Sequence, residues 1–179
     1  MSASTGRRAA AGLVIAGAAL AAQLLGGGPA NAAPTVTTLH YDSSGAPDYV
    51  AQIDQGAENW NNAVQNVKLE KGGSATIIIH ETHDGKGSYT QTDGHGNGDI
   101  YIDSTQVDEG NDPTRIAAHE IGHNLGLPDH YEGPCSELMS GHGPGTSCKN
   151  AKPDANEAAK VEENFANGLV TATARTFRD

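Results

Sequence analysis

Positive charge, cysteine and long apolar runs are all scarce in this chain. Its 179 residues carry 11 Lys and Arg against 22 Asp and Glu, a formal net charge of −11. So acidic a chain is a poor partner for nucleic acid phosphates or an anionic membrane surface. The apolar run at residues 9–25 is rich in Ala and Gly and falls short of the roughly eighteen residues that argue for a membrane span. It follows the basic pair Arg7-Arg8 and precedes Gly-Gly-Gly-Pro and Ala30-Asn31-Ala32. That is the pattern of a basic n-region, an h-region and an A-x-A cleavage site, so residues 1–32 read as a secretory signal peptide. Only two cysteines are present, Cys135 and Cys148, with no CxxC spacing to mark a redox motif. In an exported chain they are expected to pair, closing a ring for which chain entropy supplies about 3 kcal/mol.

Cleavage after Ala32 leaves residues 33–179, with 9 basic and 22 acidic side chains because Arg7 and Arg8 leave with the signal. This length suits one domain with a single core. Such a cut leaves only Ala33 and Pro34 before the first expected strand, and no cysteine precedes Cys135 to cap a metal. Either export proceeds without a latency segment or the cut lies elsewhere.

Residues 35–41 (TVTTLHY) are rich in β-branched side chains and predict a strand, broken by residues 43–47 (SSGAP). From Asp48 the apolar positions Val50, Ile53, Ala57, Trp60, Val64 and Val67 recur every three or four residues, predicting an amphipathic helix of nearly five turns. A turn at Lys71-Gly72-Gly73 leads to a buried strand at 75–80 (ATIIIH). Residues 88–92 form a further short strand, and 99–103 (DIYID) alternate as a half-buried or edge strand does. His95, in the glycine-rich loop between them, reads as an exposed loop histidine. Asp112-Pro113 is an N-cap followed by proline at the first helical position, and that helix runs to about Leu125, where Gly126 can take the left-handed C-cap. Asp154 to Glu157 has the form of a capping box opening a last helix, with Ala158, Val161 and Phe165 as its stripe and Asn167-Gly168 as its stop. Residues 169–179 read as a loose tail. Strands mixed with about three helices give the α+β class.

The chemistry gathers at HEIGHNLGLPDHY, residues 119–131. His119 and His123 are four apart on a helix, so both imidazoles leave one face with Cβ atoms about 5–6 Å apart. That suits two nitrogens that must each lie about 2.0–2.1 Å from one zinc ion. Glu120 comes round on nearly the same side, placed to reach a water rather than the metal, which is the HExxH arrangement with glutamate as general base. The opposite stripe, Ala117, Ile121 and Leu125, is apolar and faces a core. Gly126 lets the chain double back, and Asp129 then falls six residues after His123, where it can meet the metal's open side. His130, one residue later, should point elsewhere.

The whole pattern, HExxHxxGxxD, resembles the long zinc motif HExxHxxGxxH of the metzincin endopeptidases. Its aspartate variant is similar to the snapalysins, small neutral zinc proteases secreted by bacteria. The likeness extends through QTDGHG (91–96), residues 119–141 and the last helix, in effect over 35–168. It implies a metzincin-like catalytic domain, one catalytic zinc on His119, His123 and Asp129, and Glu120 as catalytic base. It further implies that Met139, in SELMSG, forms the Met-turn beneath the zinc, and that Tyr131 stands near the metal to stabilise a tetrahedral intermediate. It also agrees with a Cys135–Cys148 bridge, and it implies a structural calcium near Asp112 and Thr114, although two such side chains supply few of the six to eight oxygens calcium takes. Proteins, including milk-protein-type substrates, are the implied targets, with an aromatic residue preferred after the scissile bond (P1′).

The expectation is therefore a secreted, monomeric metalloendopeptidase without nucleic acid or membrane partners, its substrate lying antiparallel along an edge strand within residues 88–103. The competing readings are an exported zinc-binding or adhesion module without turnover, which has no use for Glu120, and a narrow cell-wall peptidase.

Overall fold

The computed structural model describes residues 35–166 and 173–179. The signal expected at 1–32 and the helix stop at Asn167-Gly168 lie outside the described residues. In chain order the elements are β1 (Thr37–Gly45), α1 (Val50–Asn61), β2 (Val67–Lys71), β3 (Ile77–Thr82), β4 (Tyr89–Thr92), β5 (Gly98–Asp103), α2 (Ser104–Asp108), α3 (Pro113–Asn124), α4 (Ala155–Phe165) and β6 (Arg175–Arg178). The strands form one sheet in the order β2-β1-β3-β5-β4-β6. Strands β2, β1, β3 and β5 are parallel neighbours, whereas β4 runs antiparallel to both β5 and β6.

Alternation decides which face of the sheet is covered. Leu39 and Tyr41 on β1, Ile77 and Ile79 on β3, and Ile100 and Ile102 on β5 are buried, joined by Val67 and Leu69 on β2. Helix α1 adds Ile53, Ala57 and Trp60, and α3 adds Ile116, Ala117, Ala118, Ile121 and Leu125 to the same core. The two helices touch closely because α1 carries Gly56, where a Cβ would stand 2.9 Å from the Ala118 backbone nitrogen. The Trp60 indole N–H then donates to the Ala118 carbonyl at 2.8 Å, satisfying a fully buried ring nitrogen.

Several expectations change. The long helix from Asp48 ends at Asn61, and Val67 belongs to a strand, β2. The three-to-four spacing through Val64 and Val67 persists because both are buried, but the chain between them has already turned. Asn61 makes the join: its side chain donates to the Leu69 carbonyl (2.9 Å) and accepts from the Leu69 amide (2.8 Å). Strand β1 continues through Ser43 and Ser44 to Gly45, with its register against β3 shifting between Asp42 and Gly45. A short helix, α2, follows β5 directly, capped by Asp103, whose side chain accepts from the Thr105 amide. Among the described residues the α-helices are thus four.

The loose tail is corrected as well. Arg175–Arg178 is a strand, paired with β4 from Tyr89↔Arg178 to Thr92↔Arg175. An edge strand presents unpaired N–H and C=O groups, and even a short segment without apolar alternation can pair with them.

Because the Gly56 contact is with backbone, which cannot step aside, Gly56→Ala should destabilise the fold by about 1–3 kcal/mol, more than its gain in helix propensity. Urea unfolding followed through Trp60 fluorescence measures it.

Candidate metal centre

Helix α3 starts as its sequence requires. Asp112 accepts from the Arg115 amide at 2.9 Å, and Pro113 fills the first turn. At the other end Gly126 has φ of 92°, the left-handed conformation that reverses the chain. The Leu127 amide returns to the Gly122 carbonyl. This turn brings Asp129 back over the helix. His119 Nε2 and His123 Nε2 are 3.1 Å apart, and Asp129 Oδ1 lies 3.2 and 3.3 Å from them.

These separations fit a metal. Three ligand atoms about 2.0–2.1 Å from one tetrahedral ion stand about 3.3 Å from one another. Asp129 Oδ1 is a buried oxygen that makes no hydrogen bond, as is Glu120 Oε1. Orphaned buried oxygens are costly unless something charged or polar completes them.

The imidazoles are held in the tautomer a metal needs. His119 Nδ1 donates to the Leu138 carbonyl (3.1 Å) and His123 Nδ1 to the Leu127 carbonyl (2.8 Å), which leaves both Nε2 atoms facing Asp129. Leu138 is held in turn by Glu157, whose carboxylate accepts from the Leu138 amide (3.1 Å), the Met139 amide (2.6 Å) and, closing the capping box of α4, the Asp154 amide (2.6 Å). Met139 lies in a single 3-10 turn, Leu138–Ser140, beneath the site. Gly122 makes room for it, since a Cβ there would come within 2.6 Å of the Met139 sulfur.

Charge in this pocket is redistributed by burial and by near neighbours. Burial raises the Glu120 carboxyl to about 7, despite the opposing pull of His119 and His123. For His119, burial pushes downward, but Asp129, Glu120 and Asp179 together outweigh it and lift the imidazole to about 9. Burial would likewise raise Asp129, yet the two facing histidines hold it well below the usual carboxylate range. The Tyr131 phenol is pushed up, chiefly by burial and then by the Asp129 and Asp179 carboxylates.

The remaining expected residues fall as follows. His130 turns outward and pairs with Glu137 (2.5 Å). The Tyr131 hydroxyl donates to the Arg178 carbonyl (2.5 Å). Cys135 and Cys148 are bonded, with Cα atoms 5.5 Å apart, tying the two ends of the segment that carries Met139. Asp112 is occupied as the helix cap, and it joins no group of three or more His, Cys, Asp or Glu ligands among the described residues.

Other residues at the site have no motif. Thr90 Oγ1, on β4, donates to Glu120 Oε2 at 2.7 Å, aiming the carboxylate from the sheet side. Arg115, 5% exposed, meets no carboxylate. Its guanidinium is spent on the Glu137, Gly141 and Asn150 carbonyls and the Ser140 hydroxyl, fixing the loops around the Met139 turn. Phe177 stacks on His123, ring centroids 4.3 Å apart and planes 6° from parallel. Asp179 forms a second group of potential ligands with His119 and Glu120, all within 4.8 Å. Buried position and chain alternation could have pointed to Thr90; nothing local marks Phe177 or Asp179.

Since Asp129 faces both nitrogens and His130 faces away, Asp129→Ala should lower zinc affinity by tenfold or more in competition with a chelator. His130→Ala should leave it within a factor of about two. Thr90→Val should keep the zinc and reduce kcat about tenfold, the scale expected when a catalytic group loses its orienting hydrogen bond.

Comparison with known proteins follows the same lines. The chain is 53% identical over 131 residues to the extracellular small neutral protease of Streptomyces caespitosus, covering 73% of this chain and 98% of that protein. It is 48% identical over 145 residues to the extracellular small neutral protease of Streptomyces coelicolor, covering 81% and 67% respectively. Among solved structures, an archaemetzincin from Methanopyrus kandleri aligns over 73% of this chain and 96% of its own, at 13% identity and a TM-score of 0.45, too slight a likeness to carry an argument. Residues 35–168, which include His119, Glu120, His123 and Asp129, match the Streptomyces extracellular neutral proteinase (M7) family, and the chain belongs to it.

Proposed function

We propose that this peptidase is a secreted zinc-dependent endopeptidase, with His119, His123 and Asp129 as zinc ligands and Glu120 as general base. The observation that carries the reading is the convergence of three ligand atoms at 3.1–3.3 Å beside an unpartnered, buried Glu120 oxygen. When bound, zinc acidifies a water and polarises the carbonyl to be cleaved.

The protein's own groups do the rest. Glu120, raised to about 7 by burial, can accept a proton near neutral pH and release it to the departing amine, and Thr90 keeps its other oxygen aimed. The Tyr131 hydroxyl already donates to a backbone carbonyl, Arg178, which is the contact a tetrahedral intermediate would use. An extended peptide would bind as a strand antiparallel to β4, in the place that β6 takes in the structure, the mode by which main-chain hydrogen bonds give affinity without regard to side chains. Substrates are proteins, of the milk-protein type among them. An aromatic P1′ residue is favoured, a preference in keeping with the flat ring that His123 accommodates in Phe177. Residues 1–32 direct export, residues 33–168 hold the catalytic domain, and the enzyme works as a monomer without nucleic acid or membrane partners. Among the described residues no helix is long and apolar enough to cross a membrane.

Casein hydrolysis by the zinc-loaded protein and by Glu120→Gln tests the reading, with bound metal measured in both. The variant should keep its zinc and lose about 10²–10⁴-fold in kcat, the range for a missing general base. Turnover undiminished in the variant would remove Glu120 from the chemistry, and a fully loaded but inert wild-type protein would favour a binding module. Because His119 lies at about 9 without metal, loading at pH 7 should also release a proton. Calorimetry in buffers of different ionisation enthalpy reads that release.

A further inference from the structure

The edge of β4 is the place for an added strand, and the chain's own β6 occupies it. Pairing is antiparallel over Tyr89–Thr92 and continues one residue further, where the Asp179 amide donates to the Ser88 carbonyl at 2.9 Å. Two side chains and one backbone carbonyl of this segment then reach into the metal centre. Phe177 lies flat on the ring of His123. The Arg178 backbone carbonyl takes the Tyr131 hydroxyl. The Asp179 carboxylate comes within 4.8 Å of both His119 and the Glu120 carboxylate. Its side chain is 3% exposed and is fixed by Gln106 Nε2 (3.0 Å) and His142 Nδ1 (2.8 Å). On the outer face of the sheet, Arg178 lies 4.4 Å over the Tyr89 ring, in a cross-strand row with Tyr101 and His80.

A docked strand that merely mimicked substrate would itself be cut. Asp179 argues against that. A carboxylate beside Glu120 stands where a hydrolase must admit water, and it sets a second negative charge against the base. The segment also lies beyond residues 35–168, the part shared with the family. We propose that residues 175–179 are an intramolecular inhibitor, a strand that fills the substrate groove of β4 and places Asp179 against the catalytic residues. The proposal rests on the reading of this centre as a peptidase, and an open groove of about 330 Å³ continuing past Asp179 between Lys86, Gln106 and Asn111 is left for the rest of a substrate.

Hydrogen exchange tests occupancy without reference to catalysis. Because the Ser88 carbonyl faces β6, strand alternation points the Thr90 amide the same way. In the full chain the Thr90 amide should exchange at least a hundredfold more slowly than an unpaired amide. In the double variant Phe177→Gly, Asp179→Ala it should speed up at least tenfold, and kcat/KM on a short aromatic-containing peptide should rise at least tenfold at equal zinc content. A synthetic peptide of residues 173–179 should inhibit the variant competitively, restore Thr90 protection and leave the full chain unaffected. A fast-exchanging Thr90 amide in the unaltered chain overturns the proposal, whatever the variant does. So does unchanged kcat/KM in a zinc-loaded variant that hydrolyses casein. If exchange behaves as expected but neither protein hydrolyses anything, the strand's occupancy stands and the peptidase reading falls.

Discussion

Helix α3 has to serve as core and as metal site at once, and the rest of the structure follows from that constraint. Every residue from Arg115 to Asn124 is buried. Two imidazoles and a carboxylate therefore sit in surroundings where an unmatched polar atom costs roughly 1–3 kcal/mol. The fold answers by matching the outer nitrogens of His119 and His123 to the Leu138 and Leu127 carbonyls. Asp129 Oδ1 and Glu120 Oε1 stay unmatched, as do both polar atoms of the Asn124 side chain at the end of the helix. The two carboxylate oxygens are left for a metal and a water to complete, which is what preorganisation of such a site requires.

The supports reach outward from that helix in a connected chain. Glu157 belongs to the first turn of α4, yet its main effect is on the Met139 turn, whose two amides it accepts. Arg115 works on the same loop from the other side, through three backbone carbonyls and the Ser140 hydroxyl, so that the buried cation is hydrogen-bonded to oxygen dipoles. The disulfide ties that segment at its ends. On the sheet side Thr90 closes the set, which makes β4 the element that orients Glu120.

Sequence patterns read well where the determinant was local. The Asp112-Pro113 start and Gly126 stop of α3 and the capping box at Asp154 and Glu157 depend on contacts within a few residues, and the strands at residues 77–82 and 98–103 show in their own β-branched and alternating side chains. They read poorly where a distant element intervened. Val64 and Val67 keep helical spacing only because both reach the same core, and Asn61 breaks the helix by bonding to Leu69. The strand at Arg175–Arg178 has no apolar pattern; it exists because β4 offered an unpaired edge.

For the metal centre, the division is equally physical. The 3.6-residue period puts His119 and His123 on one face whatever the fold, and a glycine three residues later permits the reversal that returns Asp129, so the sequence itself determined which three side chains could meet at one point. The tertiary structure decided which carbonyls orient the imidazoles, which hydroxyl aims Glu120 and what lies in the groove. Thr90, Leu138, Glu157 and the pair Phe177 and Asp179 come from four separate segments. Only the packing of sheet, helix and loop around α3 brings them within a hydrogen bond or a ring's thickness of one another.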